Sequence, residues 1–202
     1  MRSVLVLVAL AFTVGCEDSK PEGPAPSRFA AVKKEASSKA AMAFCEKQWP
    51  AVEAGSKRYT EIPSKPIPGV ADTERPAGKN WKWVNLWATW CLPCVEEMGL
   101  IAKWKSSLEK DGIPIDLELW SVDEEEGKLT DWLKKSSMPG RVKWLRSQED
   151  LVPVLESLGA DKNSAIPIHA LIDPTGNLRC LRVGSVHDED YGAVKTMLSG
   201  GA

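Results

Sequence analysis

The feature that most restricts this chain is a junction. An aromatic and β-branched run, Trp81 to Ala88 (WKWVNLWA), passes almost directly into Leu92 to Lys110, where Val95, Met98, Ile101, Ala102 and Leu108 recur at helical spacing. The first reads as a buried strand and the second as an amphipathic helix, stopped by Asp111-Gly112. At the joint stands Trp90-Cys91-Leu92-Pro93-Cys94. A strand that hands over to a helix puts the joint at the helix N-terminus, where N–H groups are unpaired and the dipole is positive. A thiol held there ionises more readily, and the thiolate is the reactive form. Two intervening residues let one sulfur reach the other, so Cys91 would attack and Cys94, one turn in, would resolve the mixed disulfide. Pro93 costs no donor in the first turn. The competing readings are half a zinc site or a plain structural bridge. Zinc needs a second ligand pair, and the body of the chain offers only isolated Cys45, Cys180, His169 and His187. No metal and no cofactor are expected.

The alternation continues downstream. Ile115 to Val122 reads as a strand, Leu129 to Ser137 as a helix ended by Pro139-Gly140, Val142 to Leu145 as a short strand, and Leu151 to Leu158 as a helix stopped by Gly159. Ile168 to Ile172 and Leu178 to Val183 flank Pro174-Thr175-Gly176-Asn177, a hairpin signal. Tyr191 to Leu198 closes the pattern as a helix whose acidic lead-in, Asp188-Glu189-Asp190, suits its dipole. This order predicts an α/β domain over residues 80–202, its central sheet mixed: parallel where helices cross over and antiparallel at the hairpin. The 202 residues have room for one such domain plus appendages. With 26 Lys+Arg against 28 Asp+Glu, the chain lacks the basic surface of a nucleic-acid binder, and nucleic acid is not an expected partner. At 43% hydrophobic residues it is too apolar to be a disordered chain.

The N-terminal residues read as an address. After Met1-Arg2-Ser3, the run Val4 to Val14 is apolar except for Thr13, too short to span a bilayer and suited to the core of a secretory signal. It ends in Thr13-Val14-Gly15-Cys16, which resembles a bacterial lipobox whose cysteine is lipidated after cleavage; Thr13 stands where that pattern usually has Leu. The rival is cleavage after Ala9-Leu10-Ala11, with Cys16 left as a free thiol. A short apolar run abutting a cysteine favours lipidation. Residues 1–15 are therefore expected as a signal peptide and 16–27, charged and Pro/Gly/Ser-rich, as a lipidated flexible tether. An exported chain permits disulfides, and setting Cys16 aside from the five cysteines leaves an even number. Within 28–79, Arg28 to Trp49 reads as a helix from Phe29, Val32, Ala36, Ala40, Ala43 and Phe44, ended by Pro50. Ala51 to Lys79, rich in proline, reads as an irregular wrap.

Two segments together resemble a known family. Asn85-Leu86-Trp87-Ala88-Thr89-Trp90-Cys91-Leu92-Pro93-Cys94, followed by Glu96-Glu97-Met98, is similar to the thioredoxin-like disulfide reductases of the TlpA/ResA type. So is Ala165-Ile166-Pro167-Ile168-His169-Ala170-Leu171-Ile172-Asp173-Pro174-Thr175-Gly176-Asn177, which matches that family's cis-proline segment and the hairpin after it. The resemblance spans roughly residues 80 to 200. It implies a three-layer thioredoxin-like fold with flanking helices, held by its lipid on the periplasmic side of a bacterial membrane and acting as a monomer. Cys91 and Cys94 would cycle between dithiol and disulfide, with protein thiols and disulfides as substrates and a membrane electron donor restoring the dithiol. Trp90, Ile166 and Pro167 would meet the substrate, with a cis bond before Pro167 leaving the Ile166 backbone free to pair with it. Thioredoxin has a buried Asp six residues before its first cysteine, where this chain has Asn85. The TlpA/ResA branch associates a Glu three residues past the second cysteine with the site, here Glu97, a helical neighbour able to exchange a proton with Cys94. Against this stands Glu97 as a solvated surface charge, and Asn85 as a polar residue that only needs partners.

Cys45 and Cys180 remain, either bridged so that the N-terminal helix is stapled to the domain or standing as two buried thiols; an exported chain favours the bridge. His169 reads as a packing or hydrogen-bonding residue, and Asp123 to Glu126 as a solvated acidic loop near the edge of the site. A copper metallochaperone on the same fold is the alternative function. That role would want a Cys-x₃-Cys spacing or more Met and His ligands than Met98 and His169 supply. Peroxidase chemistry on this fold would want Thr where Ala88 stands.

Overall fold

The structure is a computed structural model, and it describes residues 43–49, 57–60, 64–70, 80–145 and 147–200. The signal peptide, Cys16, the tether and the helix expected before Ala43 lie outside the described residues. The elements are β1 (Lys47–Gln48), β2 (Lys57–Arg58), β3 (Trp81–Trp87), α1 (Leu92–Lys110), β4 (Ile115–Ser121), α2 (Glu126–Leu133), β5 (Arg141–Trp144), α3 (Gln148–Leu158), β6 (Ile168–Ile172), β7 (Asn177–Val183) and α4 (Tyr191–Gly200), the last preceded by a 3-10 turn at Asp188–Asp190.

All the strands join one sheet in the order β1-β7-β6-β3-β4-β5, with β2 also on β7. The pairs β3–β4 and β4–β5 are parallel, while β3–β6, β6–β7 and the two N-terminal strands on β7 are antiparallel. This is the expected mixed sheet with flanking helices, a thioredoxin-like α/β fold. Every residue of β3 is buried, as a central strand covered on both faces must be. Its alternation divides the core. Trp83 and Trp87 pack with Met98, Ile101, Trp104 and Leu108 of α1, Leu129 of α2 and Val194 of α4. Val84 and Leu86 pack on the other face with Val154, Leu155 and Leu158 of α3. Gly159, at φ 75, ends α3 in the left-handed conformation that glycine adopts without strain. Gly140 leads into β5 where a Cβ would run into the Leu117 backbone.

Three expectations need correction. The N-terminal helix does not run to Trp49: helix is described at Ala43–Phe44, and Lys47–Gln48 is a strand registered on Leu181 and Cys180. Edge pairing, extended by Trp49 N–H donating to the Arg179 carbonyl at 3.1 Å, outweighs local helical periodicity. The wrap is not wholly irregular, since Lys57–Arg58 pairs with Leu178 and Asn177, and Lys65 bridges Trp144. Finally, α2 starts at Glu126 and ends at Leu133, short of Ser137; its apolar anchor, Leu129, sits within the first turn rather than at its start.

Lys82 is buried in β3, a position where a cation must find partners. Its ammonium lies 2.9 Å from Glu118, which also takes the Trp120 indole N–H at 3.0 Å and Arg141 at 2.6 Å; Arg141 in turn pairs with Asp116 at 2.9 Å. Two cations meet two carboxylates, so no buried charge is left uncompensated.

Candidate active site

The sheet delivers its central strand straight into α1. Cys91 is the N-cap residue (φ −84°, ψ 94°), with its own N–H bonded to the Ala88 carbonyl at 3.1 Å and its carbonyl taking the Val95 N–H at 3.1 Å. No side chain caps this helix end, no acidic residue lies in its first turn, and Pro93 occupies that turn. The partial positive charge of the N-terminus is therefore not neutralised locally.

Cys91 and Cys94 are joined by a disulfide, S–S 2.04 Å and Cα–Cα 5.2 Å. Cys94 is fully buried and Cys91 is 5% exposed, so the difference in access runs in the expected direction but is small in the oxidised state. The exposed surface belongs to their neighbours: Trp90 and Leu92 are each 66% exposed, prominent for large apolar side chains. The Ile166–Pro167 peptide is cis, and the Ile166 carbonyl oxygen lies 3.9 Å from the Cys91 sulfur. In the disulfide that sulfur has no proton to give, so this is a contact; a Cys91 thiol in the reduced protein would have an acceptor there. Pro167 is buried, its carbonyl tied to the Gly184 N–H at 2.8 Å, while Ile166 is half-buried beside the pair.

Glu97 is 4% exposed, so it is no solvated surface charge, whereas Glu96 points outward. Its Oε1 accepts from Asn85 Nδ2 at 3.1 Å and its Oε2 from the Val186 N–H at 3.0 Å. Asn85 also contacts His169 Nδ1 at 3.2 Å, and the same nitrogen takes the Trp83 indole N–H at 3.2 Å. His169 Nε2 lies 3.4 Å from Glu97 Oε1. Four polar side chains thus form a buried cluster, drawn from β3, α1 and β6. Asn85, a neutral polar residue in a strand whose one other polar residue is Lys82, was the sequence signal; the register Asn85↔His169 that completes it is a property of the sheet.

The acidic loop divides. Glu124, Glu125 and Glu126 are exposed, but Asp123 is 1% exposed. Its carboxylate accepts from the Thr89 hydroxyl at 2.6 Å, the Thr89 N–H at 3.0 Å and the Ser121 hydroxyl at 2.8 Å. It clamps the turn that carries Trp90 and Cys91. The reading of Asp123 as a solvated charge is corrected: β4 ends parallel to β3, so the residue just past it lies beside the loop that leaves β3.

Away from this site, Cys45 and Cys180 are bridged with Cα–Cα 5.5 Å, and Met197 Sδ lies 3.9 Å from Cys45 Sγ. His187 is exposed ahead of α4. Among the described residues there is no group of three His, Cys, Asp or Glu side chains that could hold a metal, and no helix long and apolar enough to cross a membrane.

No protein-family model matches the sequence, and no curated protein does. Solved structures do. A thioredoxin-related protein from Neisseria meningitidis serogroup B superimposes with a TM-score of 0.53 at 19% identity, covering 66% of this chain and 95% of that one. A Chlorobium tepidum protein assigned as thiol:disulfide interchange protein DsbE gives a TM-score of 0.52 at 15% identity, covering 73% of this chain and all of the other. With the mixed sheet, the helix-tip disulfide and the cis-proline already in place, this likeness identifies the fold of the chain as thioredoxin-like.

Proposed function

We propose that the protein is a thiol–disulfide oxidoreductase that reduces protein disulfides through Cys91 and Cys94. The observation that carries this reading is the placement of the Cys91–Cys94 disulfide at an uncapped helix N-terminus, with the Ile166 carbonyl 3.9 Å from Cys91. In the reduced state, the helix end favours the Cys91 thiolate. Cys91 attacks a substrate disulfide held against Trp90, Leu92 and the Ile166–Pro167 segment. Cys94 then attacks Cys91, with Glu97 as the proton partner three residues along α1, and the reduced substrate leaves. A dithiol donor at the membrane restores the pair. The names of the solved structures similar in fold, a thioredoxin-related protein and a thiol:disulfide interchange protein, agree with this chemistry.

The N-terminal sequence supports export and anchoring through a lipid on Cys16, which would place the domain on the periplasmic side of a bacterial membrane as a monomer. A Cys16→Ser protein should move from the membrane to the soluble fraction on cell fractionation. For the chemistry, the purified full chain should catalyse the reduction of insulin by dithiothreitol, and Cys91→Ser should not. Wild-type rates no higher than those of Cys91→Ser would overturn the reading.

A further inference from the structure

We propose that His169 is a positioning residue for Glu97, fixing its carboxylate for the step in which Cys94 resolves the mixed disulfide; the inference rests on the oxidoreductase reading above. The Trp83 indole N–H can only donate, and it lies 3.2 Å from His169 Nδ1. Nδ1 is therefore the acceptor, and the neutral imidazole carries its hydrogen on Nε2. That nitrogen is 3.4 Å from Glu97 Oε1, long for an N–H···O bond and within reach of a small adjustment of either side chain.

Asn85 Nδ2 bridges the same pair, 3.1 Å from Glu97 Oε1 and 3.2 Å from His169 Nδ1, and the Val186 N–H holds the other oxygen at 3.0 Å. Glu97 is thus gripped from β3, from β6 and from the segment after β7, while its own helix carries Cys94. His169 is 1% exposed and stands directly across from Asn85 in the sheet, two residues beyond the cis-proline. Two atoms of this cluster, Asn85 Oδ1 and His169 Nε2, are buried without a hydrogen bond of good geometry.

In the step concerned, the Cys94 thiol gives its proton to the Glu97 carboxylate and the Cys94 sulfur attacks the Cys91 sulfur of the mixed disulfide. The Cys91–Cys94 bond forms, the bond to the substrate breaks, and the substrate sulfur leaves with the electron pair as a thiolate. The enzyme dithiol is oxidised by two electrons and the substrate disulfide is reduced by two. His169 exchanges no proton here, because taking one on Nδ1 would break the bond from Trp83. Its part is to keep Glu97 Oε1 where Asn85 and Cys94 need it.

The test is a single turnover of the reduced full chain, carrying Cys16→Ser to remove that thiol, with an aromatic disulfide whose released thiolate is coloured. Attack by Cys91 releases a first equivalent and resolution by Cys94 a second. His169→Phe should leave the first phase within about twofold and slow the second about tenfold, as loss of orientation at a proton-transfer step does. Added to Glu97→Gln it should slow the second phase no further, because the two act through one group. His169→Gln, which restores an N–H donor, should recover the second phase to within about threefold of wild type. An unchanged second phase, equal slowing of both phases, slowing additive to Glu97→Gln, or His169→Gln no faster than His169→Phe would each overturn the proposal. If His169→Phe fails to fold by circular dichroism, Trp83→Phe takes its place. It removes the indole donor from Nδ1, leaving Asn85 alone at that nitrogen, and should slow the second phase about threefold; no slowing there overturns the proposal equally. A wild-type chain that gives no second phase would sink the oxidoreductase reading itself, an outcome distinct from all of these.

Discussion

At the residue scale, the site is built from buried polar side chains that hold loops and from exposed apolar ones that remain available. Asp123 shows the first kind. It receives the Thr89 hydroxyl and N–H and the Ser121 hydroxyl inside a core, where removing the acceptor leaves those donors unpaired. Asp123→Ala is expected to cost about 2–4 kcal/mol in denaturant unfolding, and Thr89→Val, which removes one hydroxyl, about 1 kcal/mol. Equal costs would show that the Thr89 N–H and Ser121 hydroxyl contacts together carry no net weight. Trp90 shows the second kind. Trp90→Ala should leave stability within about 0.5 kcal/mol, because the side chain is 66% exposed, while weakening turnover of a protein disulfide more than that of a small one. A parallel loss on both substrates would remove Trp90 from the docking surface.

At the element scale, the junction of β3 and α1 was legible in the sequence because two periodicities meet there with cysteines between them. The hairpin of β6 and β7 was legible because Pro174-Thr175-Gly176-Asn177 separates two apolar runs. The N-terminal strands were not. Lys47–Gln48 and Lys57–Arg58 are too short to show alternation, and what makes them strands is the edge of β7, more than a hundred residues away in the chain. A separation of 84 residues between Asn85 and His169 likewise hid the Asn85–Glu97–His169 cluster, since register across β3 and β6 is set by the whole sheet. The Cys45–Cys180 bridge closes a sequence separation of 135 residues and fastens this edge. Replacing both cysteines by Ala should cost about 5 kcal/mol on the chain-entropy model. Hydrogen exchange should then show loss of protection in β1 before β3. Simultaneous loss in both would mean the edge is no separate unit.

At the scale of the whole molecule, two buried carboxylates couple the fold to pH. Burial works against the charge of Glu118, but Lys82, Trp120 and Arg141 outweigh it and hold its carboxyl below the ordinary value of 4.5. Burial likewise opposes the charge of Asp173, yet the Thr175 hydroxyl, the N–H groups of Asn177 and Thr175, and Arg179 hold it below 3.8. Both groups bind protons less readily folded than unfolded, so their contribution is complete above those ordinary values and lost as pH falls through the lower folded ones. Unfolding midpoints should therefore drop between pH 5 and pH 2, and Glu118→Gln should be less stable at neutral pH with a shallower acid loss. What the folded molecule as a whole supplies to Cys91 is the uncapped positive end of α1, anchored by the central strand. The most direct test is the thiolate absorbance of the reduced protein followed against pH, with Cys91→Ser as the blank. Ionisation of Cys91 is predicted at a lower pH than that of free cysteine, whose midpoint is about 8.5. A midpoint at or above the free-cysteine value would contradict the central claim.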